Sequence, residues 1–141
     1  MRNAIYSVVF FVFLFTSCTK ENNSNTNVPI QNVNITLYPS DPQYATNIGV
    51  IGGWVYITGG NKGIIVYRKS SNEFMAYERT CTYDPNTNSR LKVLTDNVTI
   101  VDSLCGSKFL MLDGSIIQGP AAAALKAYSC DFNGSVLHIY N

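Results

Sequence analysis

Three cysteines, Cys81, Cys105 and Cys130, and one histidine, His138, carry most of the chemistry available to the last hundred residues. Thiolates with an imidazole are the donors zinc prefers, so these four residues define one conceivable metal set. Their spacing matches no compact Cys/His pattern. In an oxidising compartment close cysteines pair instead. Three cysteines allow three pairings, and spacing alone leaves all of them open. A lone histidine excludes any site that needs two imidazoles, and no Ser/His/Asp arrangement can be drawn around it. As a strand residue, His138 reads as structural or solvent-facing. Asp96, Asp102 and Asp113 are the carboxylates available for pairing, but Asp113 suits a turn and Asp96 precedes a loop asparagine. Gly52-Gly53 and Gly59-Gly60 lack the strand-to-helix setting of a phosphate loop. The chain contains no Cys-x-x-Cys, which argues against a thiol-exchange protein built on Cys81 and Cys105. No catalytic constellation emerges, and the expectation is a protein that is not an enzyme.

The elements that must position these residues read as strands. Gly63–Arg68 and Glu73–Arg79 are β-prone runs joined by a hairpin-length loop, Lys69–Asn72. Val98–Val101 and Lys108–Leu112 form a similar pair, the second ending at Asp113-Gly114. Leu125–Phe132 and Ser135–Tyr140 flank Asn133-Gly134, a strong hairpin signal because a two-residue turn there asks both positions for φ > 0. Ala121–Lys126 is the one helix-like stretch, and it is long enough for a single turn. The pattern predicts an all-β protein of stacked antiparallel sheets or a small barrel. The many tyrosines suit half-buried strands; an aromatic ligand face is the sharper alternative. With 141 residues, 46% of them hydrophobic and 13% charged, the chain has the core of one domain, and disorder throughout is excluded. A net charge of +1, without blocks of like charge, excludes a nucleic-acid footprint.

The N-terminal residues have a different character. Arg2 precedes the apolar run Ala4–Phe15, which as a helix covers ~18 Å against a bilayer core of ~30 Å. It has the make-up of a signal-peptide core. Leu14-Phe15-Thr16-Ser17-Cys18 resembles a bacterial lipobox, with a bulky apolar residue three places before the cysteine and a small one directly before it. That resemblance implies cleavage after residue 17, lipidation of Cys18 and attachment to a bacterial envelope membrane, the outer one being expected. Residues 18–34, rich in Asn, Ser and Thr, are expected to form a flexible tether. Residues 35–141 are then the domain. Arg2 is one of ten basic residues set against nine acidic ones, so its removal leaves a neutral chain, poorly suited to steering a charged partner from a distance. Cys18-Thr19-Lys20-Glu21 is similar to short export signals of surface lipoproteins, and Asp102-Ser103-Leu104 to an envelope O-glycosylation triplet.

Several pieces in a fixed order carry a further resemblance. Phe74–Tyr77 leads into Cys81-Thr82-Tyr83; then come Asp102-Ser103-Leu104-Cys105-Gly106-Ser107-Lys108-Phe109, Asp113-Gly114 and Gly119-Pro120-Ala121, with Leu125 and Tyr128 before the final hairpin. This order is similar to the Rieske-type domain family over Gly53–Asn141. The family's pattern is Cys-x-His, a spacer, Cys-x-x-His-Gly-Ser-x-Phe, an Asp-Gly turn and Gly-Pro-Ala. In that family two cysteines hold one iron and two histidines the other iron of a [2Fe–2S] cluster. Carried across, Cys81 keeps its place, Tyr83 stands at the first histidine, Asp102 at the second cysteine and Cys105 at the second histidine. A phenol and a carboxylate are poor donors for a sulfide cluster. The resemblance therefore implies a domain without cluster or other cofactor, in which Cys81 and Cys105 form a disulfide across the two former ligand loops. Closing a loop of that length stabilises a fold by ~3–4 kcal/mol. Cys130 then remains as a small buried residue. The expected role is binding or structural, with an unidentified partner. The rival is an electron-transfer protein with an atypical cluster on Cys81, Tyr83, Asp102 and Cys105.

Overall fold

A computed structural model describes residues 27–141, so the signal-peptide and Cys18 readings, and the first part of the tether, lie outside the described residues. The strands are β1 (Asn34–Leu37), β2 (Trp54–Ile57), β3 (Ile64–Arg68), β4 (Phe74–Glu78), β5 (Lys92–Val93), β6 (Thr99–Val101), β7 (Lys108–Leu110), β8 (Ile116–Gln118), β9 (Ala127–Phe132) and β10 (Leu137–Tyr140). One short helix, α1 (Pro42–Ala45), lies between β1 and β2. The fold is all-β. Six strands, in the order β1-β10-β9-β4-β3-β2, make a curled antiparallel half-barrel, and β5-β6-β7-β8 make a second, smaller sheet.

The hairpin β3–β4 is the wall between two cores, which explains its almost continuous apolar sequence. Side chains alternate across a strand. Ile64, Val66 and Ala76 face inward into the half-barrel, against Leu37, Ile48, Phe74, Leu137 and Ile139. Ile65 and Tyr77 face the other way and pack with Leu91, Ile100, Phe109, Met111 and Leu125 beneath the small sheet. Trp54 and Tyr56 tie the two sheets together at the open edge of β2. The Trp54 indole N–H donates to Asn97 Oδ1 at 2.9 Å, and the Tyr56 hydroxyl accepts the Val93 N–H at 2.8 Å.

The three hairpins expected from the sequence form, with β3 paired to β4, β6 to β7 and β9 to β10. Three expectations need correction. Asn133-Gly134 does not make a turn with both residues at positive φ: only Gly134 has one (98°), while Asn133 Oδ1 accepts the Ser135 and Val136 N–H groups. Ala121–Lys126 is not helical, because Ala121 and Leu125 are drawn into the second core as irregular chain. The tether expected to reach residue 34 is docked in its described part. Val28 and Val33 are buried, Val33 N–H donates to Asn141 Oδ1, and Asn34 already pairs with Tyr140 in the sheet. Two valines in a polar stretch, with backbone partners waiting on β10 and at Asn141, outweigh its disorder-prone composition.

Candidate functional site

Three segments converge at one end of the second core. The first continues from β4 through Glu78-Arg79-Thr80 to Cys81. The second is the turn between β6 and β7, Asp102–Ser107, closed by hydrogen bonds from Asp102 N–H to the Ser107 carbonyl (3.0 Å) and from Gly106 N–H to the Asp102 carbonyl (2.9 Å). Gly106, at φ 80°, supplies the left-handed residue this turn requires. The third is the chain around Pro120. Its Ala121 N–H donates to Ser107 Oγ at 2.9 Å, and the Ala123 carbonyl accepts the Thr82 hydroxyl at 2.7 Å. Gly-Ser and Gly-Pro-Ala, far apart in sequence, are thus two sides of one hydrogen-bonded junction.

At this junction Cys81 Sγ lies 3.7 Å from Cys105 Sγ. The ligand atoms of Cys81, Asp102 and Cys105 all fall within 4.8 Å of one another. Cys81 is 1% exposed, Asp102 is buried and Cys105 is half-buried, with its thiol on Ser107 Oγ at 3.1 Å. Burial pushes the Cys81 thiol up to about 12, helped by its contacts with Asp102 and Cys105, while the Tyr83 N–H acts in the opposite direction. Asp102 moves the other way. Burial alone would raise it, but the Ser89 hydroxyl, the Leu104 N–H, the Cys81 thiol and the Cys105 N–H hold its carboxyl below the usual range. The proton therefore rests on sulfur and the charge on oxygen.

Tyr83, the fourth position the resemblance assigns to this site, has its side chain 55% exposed. As donors for a [2Fe–2S] cluster these residues are a poor set on chemical grounds. The sulfurs contact each other directly, Asp102 Oδ1 is already engaged by Ser89 and Leu104, and the remaining candidate is an exposed phenol. Two thiols at this separation are instead placed for oxidation, since a disulfide asks for a further approach of under about 2 Å. The four-residue zinc set is also corrected. Cys130, in β9, packs against the half-barrel core, where burial and then the Asp131 charge push its thiol up to about 12. His138 Nε2 lies 2.7 Å from Asn34 Oδ1, and its ring stacks on Tyr140. Neither joins Cys81 and Cys105 among the described residues. Asp96 and Asp113 bind backbone N–H groups of their own turns, so the carboxylates do not pair.

Glu78, an acidic residue within the β-prone run Glu73–Arg79, is fully buried beside this junction. Its Oε1 accepts the Lys62 N–H (2.9 Å), the Thr80 N–H (3.1 Å) and the Thr80 hydroxyl (2.9 Å). Its Oε2 accepts the Asn61 N–H and the Tyr128 hydroxyl, each at 2.7 Å. A buried carboxylate is tolerated only when its acceptor sites are filled in this way. Lys62 Nζ continues the network to the Pro85 and Thr87 carbonyls. Glu78 therefore fastens the glycine-rich loop 58–63 to the segment that presents Cys81. The signal available in advance was weak: an acidic residue at the end of a strand whose neighbours face two cores.

No protein-family model matches this chain, and no curated protein matches it.

Proposed function

We propose that this chain is a bacterial envelope lipoprotein, anchored in the outer membrane through Cys18, whose Rieske-like domain has exchanged its cluster for a Cys81–Cys105 disulfide and serves a binding or structural role. One observation carries this reading: the two sulfurs, on separate loops, lie 3.7 Å apart with a single carboxylate beside them. Convergence of the 81–83, 102–107 and 119–123 segments supports the resemblance, because those are the segments that hold its motif pieces. Hydrogen bonds from the Ala121 N–H to Ser107 Oγ and from the Thr82 hydroxyl to the Ala123 carbonyl hold this junction, and an S–S bond would add covalent closure in an oxidising compartment. Any binding would then use a fixed surface, since the clasp restrains the loops.

The test is iron and acid-labile sulfide analysis of protein purified anaerobically, together with its visible spectrum. A colourless, iron-free protein is expected. Stoichiometric iron and sulfide with visible absorption would replace this reading with the electron-transfer rival on Cys81, Tyr83, Asp102 and Cys105. Cys18 is tested separately. Detergent phase partitioning should move the chain to the aqueous phase on Cys18→Ala, and an unchanged distribution would refute the anchor.

A further inference from the structure

A cleft of about 390 Å³ is lined by Tyr56, the loop 58–63, Arg79 and Arg90. Its volume falls in the range of small-molecule sites. Arg79 is pinned: its guanidinium sits 3.8 Å from the Tyr56 ring centroid, and its Nε donates to the Leu91 carbonyl at 3.0 Å. Its two terminal nitrogens meet no hydrogen-bond acceptor among the described residues, and the exposed Arg90 side chain meets none either. Burial and the nearby Arg90 charge both act against the Arg79 cation, with Tyr56 and Glu78 acting in its favour. Glu78 cannot serve as a salt-bridge partner at the mouth of the cleft, because both its oxygens are turned inward to Asn61, Lys62, Thr80 and Tyr128. Among the described residues the one ion pair, Lys69–Glu73, lies elsewhere.

Two guanidinium groups sharing a concave site with no protein counter-ion repel one another, and an oxyanion between them removes that cost. We propose that this cleft binds a small molecule through an oxyanion of the phosphate or carboxylate class, gripped by the pre-set fork of Arg79 and completed by Arg90. The loop amides of Asn61 and Lys62 take no part, being committed to Glu78. The chain as a whole is nearly neutral, so recognition is local and short-ranged. This inference does not depend on the state of Cys81 and Cys105.

Inorganic pyrophosphate and citrate, titrated separately into the purified chain at constant ionic strength, test the site by NMR. Saturable shifts are expected at the Arg79 Nε–H, at Arg90 and at the amides of residues 59–63 with at least one probe. Arg90→Gln should weaken that binding roughly tenfold or more, and Arg79→Lys, which keeps the charge but loses the fork, should do likewise. Lys108→Gln should leave it unchanged. Arg90 is exposed, so Arg90→Gln decides the matter even if Arg79→Lys fails to fold. No saturable shift with either probe, shifts spread over other basic residues, or unaltered affinity in Arg90→Gln would overturn the proposal. Vesicles of phosphatidylcholine with and without phosphatidylglycerol separate the sources of the anion. Arg90-dependent vesicle binding without binding of either soluble probe would overturn a small-molecule ligand in favour of a lipid headgroup.

Discussion

Replacing Glu78 by Gln changes one atom of a fully buried carboxylate and its hydrogen-bond network. The carboxylate receives five hydrogen bonds, three on Oε1 and two on Oε2. If the new amide nitrogen takes the Oε2 place, the Tyr128 hydroxyl can rotate and accept from it, but the Asn61 N–H cannot reverse its role. One backbone donor is then buried against another donor, at a cost of ~1–3 kcal/mol, and the remaining bonds lose their charge assistance, at ~0.5–1 kcal/mol each. If the nitrogen takes the Oε1 place instead, the Lys62 and Thr80 N–H groups both lose their acceptor, which is worse. The expected loss is therefore ~3–5 kcal/mol, a large part of the ~5–15 kcal/mol that a domain usually has. Tyr128→Phe removes one of the five bonds and should cost ~1–2 kcal/mol. Urea unfolding of the three proteins, with slopes compared to exclude denatured-state effects, gives the values directly. Amide exchange should accelerate at Asn61 and Lys62 in Glu78→Gln alone. A loss below ~1 kcal/mol for Glu78→Gln, or one no larger than that of Tyr128→Phe, would refute this account of how the loop is held.

Three further outcomes follow from the same geometry. Gly60→Ala should destabilise by at least ~2 kcal/mol, since a Cβ there runs into Glu78 Oε2 and the Tyr128 hydroxyl at φ 61°, whereas Gly134→Ala meets open space and should cost only ~1 kcal/mol; melting temperatures of both variants decide this. Asp102 has its folded carboxyl below the ordinary range, so its stabilisation is complete above about pH 4 and is lost as pH falls through the depressed value. The melting-temperature gap between wild type and Asp102→Asn should accordingly be open at pH 6 and close on acidification, and a gap independent of pH would contradict the assignment. In reduced, folded protein at pH 8, iodoacetamide should modify Cys130 at least tenfold more slowly than in unfolded chain, because burial keeps its thiol protonated; equal rates would place it at the surface.

Much of the sheet structure was legible because strand signals are local. The β-prone runs of β3 and β4, the loop Lys69–Asn72 and the turns at Asp113-Gly114 and Asn133-Gly134 announce hairpins without reference to anything distant. The Cys81 and Cys105 loops meet in the structure, but no local signal in the sequence announces it; the expectation came only from the resemblance carried by Gly-Ser, Asp-Gly and Gly-Pro-Ala. What stayed hidden depended on non-local burial. Glu78 reads as a solvent-facing strand residue until Asn61, Lys62 and Tyr128 are brought to it. Arg79 and Arg90 read as ordinary charges until it is visible that no carboxylate among the described residues pairs with them. Ala121–Lys126 has helical propensity, but a single turn cannot compete with burying Ala121 and Leu125. Val28 and Val33 look too sparse to dock a polar stretch, and only β10 and Asn141 supply the partners that make docking worthwhile.

The claim at the centre is the Cys81–Cys105 clasp, and peptide mapping of protein isolated without reductant addresses it most directly. After blocking of free thiols, the predicted result is a cross-linked pair of peptides containing Cys81 and Cys105, lighter by the two hydrogens lost on oxidation, with Cys130 alone carrying the blocking group among the three. Recovery of both Cys81 and Cys105 as blocked thiols, or a link from either of them to Cys130, would contradict it.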